Sequence, residues 1–102
     1  MFVKIHKSYR TVVAVCDSEL IGKRFEEEFQ HGTRQLDLRE SFYKGELVNH
    51  EKALHILKTQ AKEDATFNIV GEKATQVALE AGIISKEGIL TIQKIHYALV
   101  LL

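Results

Sequence analysis

This 102-residue chain predicts an α+β domain of two layers: a mixed β-sheet, made of an opening hairpin plus later strands, packed by about three helices. Three observations carry that prediction. The run Phe67-Asn68-Ile69-Val70-Gly71-Glu72-Lys73-Ala74-Thr75-Gln76-Val77-Ala78-Leu79-Glu80-Ala81-Gly82-Ile83-Ile84 reads as strand, glycine, helix, glycine and a new apolar segment. Phe67, Ile69 and Val70 are strand formers, while Ala74, Val77, Ala78 and Ala81 recur at the three- and four-residue spacing of one helical face. Small side chains on that face let a helix axis approach a sheet closely. Near the N-terminus, Val3 and Ile5 alternate with Lys4 and His6, and the run Thr11-Val12-Val13-Ala14-Val15-Cys16 is apolar at consecutive positions. The first pattern suits a half-solvated strand and the second a central strand buried on both faces. Finally, 45% hydrophobic and 27% charged residues over this length fit one soluble globular domain, residues 1–102.

The other elements follow in chain order. Asp17 is suited to cap a helix through Leu20, Ile21, Phe25 and Phe29 that ends at His31-Gly32. Gly22 opposes an uninterrupted helix, since an interior glycine costs about 1 kcal/mol against alanine, and a short helix followed by a strand through Phe25 is the alternative. Arg34-Gln35-Leu36-Asp37-Leu38 alternates as a short strand, and Ser41-Phe42-Tyr43-Lys44-Gly45-Glu46 is a turn-rich link with its two aromatics inward. Asn49 caps a helix over residues 50–61, with Ala53, Leu54, Ile56 and Leu57 inside and Glu51, Lys52 and Lys58 outside. After the unit at 67–84, residues 89–92 and 97–102 read as strands. Residues 98–102 carry no side-chain charge, so the last strand belongs inside the sheet or against a partner.

Charge and cysteine content narrow the function. Fourteen Lys plus Arg balance fourteen Asp plus Glu, so no global field recruits nucleic acid or an anionic membrane, and such a partner must meet a local patch. One cysteine, Cys16, excludes an intramolecular disulfide and points to a reducing, cytoplasmic location. Met1-Phe2-Val3-Lys4-Ile5-His6-Lys7 lacks the continuous apolar core of a signal peptide or a spanning helix, so no membrane partner is expected.

The ordered series Cys16-Asp17, Gly22-Lys23, Phe25-Glu26-Glu27, Phe42-Tyr43-Lys44-Gly45-Glu46 and Asn68-Ile69-Val70-Gly71-Glu72 resembles the small archaeal family known as domain of unknown function 424. The resemblance spans nearly the whole chain. It implies a single domain of this length, brings no catalytic or binding residue with it, and associates the family with translation and ribosome-maturation genes. Where members tend to carry a Gly-Val-Pro-His-like turn, this chain has Gln93-Lys94-Ile95-His96.

No catalytic constellation, cofactor motif or metal-ligand spacing stands out. His50 and His55 are five apart, about 140° around a helix, whereas two ligands on one face need three or four. Cys16 lies beside the Asp17 carboxylate, which disfavours a thiolate, so it reads as a buried structural thiol. Gly71 marks an anion-binding turn at a helix start, although a lone glycine followed by Glu72 falls short of a phosphate loop. The basic hairpin offers more. Lys4, Lys7 and Arg10 can neutralise phosphates while Tyr9 offers a stacking face to an unpaired base. Lys23, Arg24, Arg34 and Arg39 would extend that patch if the fold joined them, and Glu26-Glu27-Glu28 would oppose it. The leading expectation is a non-enzymatic interaction module that contacts RNA or a ribosomal subunit. The alternatives are a protein-binding or homo-oligomeric module pairing through residues 98–102, and a small ligand-binding protein or enzyme using Gly71 and Cys16.

Overall fold

The computed structural model describes residues 1–101, and Leu102 of the expected last strand lies outside them. Eight strands and three α-helices follow one another as β1 (Phe2–His6), β2 (Val12–Cys16), β3 (Arg24–Phe29), β4 (Gly32–Asp37), α1 (Glu40–Tyr43), β5 (Glu46–Leu47), α2 (His50–Lys62), β6 (Thr66–Val70), α3 (Glu72–Glu80), β7 (Leu90–Ile92) and β8 (Ile95–Val100). Six strands form a mixed sheet in the order β5-β1-β2-β6-β8-β7, and β3 with β4 forms a separate two-stranded ribbon. The fold class is the one the sequence predicts.

The opening hairpin pairs Phe2 with Cys16 through to His6 with Val12. β2 then lies parallel to β6, with Val13 opposite Phe67 and Val15 opposite Ile69. This places β2 between two strands, which is why its residues are apolar at consecutive positions. β6 and β8 run antiparallel, with Phe67 opposite Val100, and β7 pairs with Ile95 to Tyr97 on the other side. The last strand is therefore flanked on both sides only at Tyr97, and its uncharged residues 98–100 form an open edge there. Gln93 and Lys94 both take positive φ, the two-residue geometry whose twist matches that of the flanking strands. That tight turn starts β8 at Ile95, two residues before the expected start.

The two faces of the sheet differ. On the first, Val13, Val15, Phe67 and Ile69 meet Ala53 and Leu57 of α2 and Ala74, Val77 and Ala78 of α3. Asn49 caps α2, its Oδ1 accepting from the Lys52 amide at 2.8 Å. On the second, Ala14, Cys16, Val70, Tyr97 and Ile92 are covered by Leu20, Leu36, Leu38 and Tyr43. Helices therefore cover one face, and the ribbon with α1 covers part of the other.

That ribbon corrects the expected helix through Phe29. Only Ser18–Leu20 makes a single 3-10 turn, Gly22 takes φ +80°, and the chain then extends as β3. The alternative of a short helix followed by a strand is what forms. Phe25 and Phe29 are four apart, which suits one helical face, but they are also on one face of a strand. The glycine in the left-handed region decides between these by ending the helical turn. From Glu26 to Gln35 both strands are solvent-exposed, so the ribbon is an arm held to the domain by Leu36, Phe25 and a bond from Gln93 Nε2 to the Glu26 carbonyl.

Candidate functional site

The basic turn lies between β1 and β2. Tyr9 is wholly exposed at 104% of its reference surface, and Lys7, Ser8 and Arg10 are exposed around it. The Ser8 hydroxyl donates to the Arg10 carbonyl at 3.0 Å and braces the turn. Neither Lys7 nor Arg10 enters an ion pair among the described residues. Lys4 is set apart, because its ammonium donates to the Ser41 carbonyl at 2.7 Å and ties β1 to α1. His6 stacks on Phe42 at 4.5 Å and bonds the Phe42 carbonyl through Nε2, which closes the same seam.

The second basic cluster does not join this turn. Lys23 and Arg39 sit at the root of the arm, beyond the C-terminal end of β2, while the turn precedes its N-terminal end. Arg24 pairs with Glu26 at 2.7 Å and Arg39 with Asp37 at 2.9 Å. Arg34 packs its guanidinium over the Phe29 ring, 4.9 Å from the centroid.

Gly71 lies at the parallel strands' C-terminal ends, in a cleft of about 140 Å³ lined by Asp17, Glu19, Glu72, Lys94 and His96. Asp17, only 2% exposed, directs its carboxylate at the opening turn of α3. Its Oδ2 accepts from the Lys73 amide at 3.0 Å and its Oδ1 from the Ala74 amide at 2.8 Å. It therefore caps a helix 56 residues away and not the segment that follows it. Gly71 takes φ +115°, and a Cβ there would overlap the Asp17 carboxyl. The glycine admits the carboxylate, and the carboxylate occupies the amides an external anion would use. Burial pushes the Asp17 pKa above the ordinary carboxylate range, and this outweighs the two amide bonds, which pull it down. Cys16 is buried beside it, its thiol pushed up to about 12 by burial first and the Asp17 charge second. At neutral pH it is a thiol, not a nucleophilic thiolate.

A third feature escapes the sequence. Between the arm, α1 and the uncovered part of the second sheet face lies a groove of about 430 Å³ lined by Arg34, Leu36, Asp37, Tyr43, Asn68, Leu90, Ile92, Tyr97 and Leu99. Pairing places Asn68 beside Leu99 and Val70 beside Tyr97, so these four side chains share that face. Leu90 and Leu99 are 44% and 56% exposed. Burial raises the Tyr43 phenol to about 12, helped by Cys16 and Asp37. The one sequence signal is Asn68, a lone carboxamide among strand-forming neighbours Phe67, Ile69 and Val70. No three His, Cys, Asp or Glu side chains gather as a metal site among the described residues, and no helix there is long and apolar enough to cross a membrane.

A family model described as a protein of unknown function, DUF424, matches residues 6–102. The fold is similar to the crystal structure of an uncharacterized conserved protein from Methanopyrus kandleri, with a TM-score of 0.81 and 24% sequence identity over 97% of this chain and 88% of that one. No curated protein matches the sequence.

Proposed function

We propose, for a chain that belongs to the DUF424 family, a role as a non-enzymatic interaction module that contacts RNA, free or within a ribosomal subunit, through the turn between β1 and β2. One observation carries this reading: Tyr9 stands wholly in solvent between Lys7 and Arg10, two cations with no ion-pair partner among the described residues. An aromatic ring left in water on a braced turn offers a π-face to an unpaired base, and the flanking cations suit its phosphates. Lys4 holds α1 to β1 through the Ser41 carbonyl. The buried thiol and the capped helix start argue for scaffold at the other end of the sheet, which favours binding over catalysis.

Replacing Lys7 and Arg10 together by Glu should abolish retention of single-stranded RNA in a filter-binding assay. Tyr9→Ala should weaken it by about 1–3 kcal/mol, the worth of one base stacked on an aromatic ring. Retention indifferent to all three changes would sink the reading.

A second reading is self-association through β8. It rests on Leu99 and Leu101, 56% and 75% exposed, and on Ala98 to Val100 pairing with β6 alone. This segment is uncharged, so its own copy meets it without like-charge repulsion across a two-fold axis.

A further inference from the structure

We infer that the groove between the arm and the second sheet face is a nucleotide site, taking either a free mononucleotide or one unpaired residue of an RNA. This goes beyond the basic-turn reading and stands without it. The Tyr43 and Tyr97 phenols and the Asn68 carboxamide make no hydrogen bond among the described residues. Yet no side-chain nitrogen or oxygen there is both buried and without a partner. The polar atoms of these three residues are therefore not sealed in the core, and all three residues line the groove. Three groups that can each donate and accept converge on one hollow.

Their surroundings select the ligand. Leu90 and Leu99, both exposed, line the groove with aliphatic surface for the faces of a flat ring, and the amide and phenols suit a polar ring edge. Arg34 is the one cation among the lining residues, and its guanidinium, which rests over the Phe29 ring, suits a phosphate. Asp37, half-buried and anchored to Arg39 at 2.9 Å, can accept from a sugar hydroxyl. The volume of about 430 Å³ falls within the roughly 300–1,000 Å³ of small-molecule sites. An apolar-faced ring with a polar edge, a hydroxylated linker and an anion together describe a nucleotide.

Equilibrium titration of the full chain with AMP, GMP, CMP and UMP, and separately with single-stranded RNA of mixed sequence, tests this. Arg34→Glu, on the exposed arm, and Asn68→Leu, checked for an unchanged melting transition, should each weaken binding at least tenfold. Mononucleotide binding with that dependence identifies a free-nucleotide site, and the same dependence seen only with RNA identifies an unpaired residue of a longer strand. Binding of neither ligand overturns the inference. RNA binding that depends on Lys7 and Arg10 but ignores Arg34 and Asn68 also overturns it, while leaving the basic-turn reading in place.

Discussion

Asp17 sets two requirements against each other. Its carboxylate satisfies the amides of Lys73 and Ala74, and it does so at 2% exposure, where a charge is poorly solvated. Desolvation wins, since the folded-state pKa is raised. The sign follows from linkage. A carboxyl that holds its proton more tightly when folded contributes stability that is fullest below the unfolded pKa and is lost as pH rises through the folded one. Asp17→Asn keeps an oxygen acceptor and removes the buried charge. Its NH2 faces one of the two amide donors and costs a hydrogen bond at every pH, so the test is the trend: relative to the natural chain, the variant's denaturant stability should improve as pH rises through the carboxylate range to pH 7. Asp17→Ala leaves the two amides uncapped and should lie about 1 kcal/mol below the Asn variant. An advantage of the Asn variant that grew on acidification would contradict this assignment.

The elements differ in how far their sequences specify them. Residues 67–84 are legible because strand, turn and helix each meet their partners locally. Gly71 ends β6, and the apolar face of α3 has the period of the helix it forms. Asn49 is legible for the same reason, since its capped amide is three residues away. The partners of Asp17 lie in another element, and nothing near Cys16 announces them. Phe25 and Phe29 satisfy helix and strand alike, so the arm hinges on Gly22. The groove draws on β4, α1, β6, β7 and β8, and no spacing within one segment could reveal it. At this scale β8 also makes its own prediction. If the second copy pairs along Ala98 to Leu101, light scattering should show a dimer that dissociates in Leu99→Asp, a change at an exposed side chain that leaves the monomer folded. A natural chain that stays monomeric at high concentration would remove self-association.

Over the whole molecule, formal neutrality means that no long-range field gathers an anionic polymer. Two cations at the arm root are paired, Arg24 with Glu26 and Arg39 with Asp37, and the acidic run Glu26 to Glu28 lies on the arm, which leaves the C-terminal end of β2 while the turn precedes its N-terminal end. At the turn end Lys7 and Arg10 enter no ion pair among the described residues, but the exposed carboxylates of Glu63 and Asp64 stand at the same end, since Thr66 bonds to Thr11 beside the turn. RNA affinity should accordingly be modest and strictly local. The most direct measurement is the affinity of the natural chain for single-stranded RNA as a function of salt. Two phosphate contacts predict a slope of log affinity against log salt of about −1.4, at about 0.7 per contact on a single strand, falling toward zero when Lys7 and Arg10 are both replaced. No measurable binding at low salt, or a slope the double replacement leaves unchanged, would contradict the account.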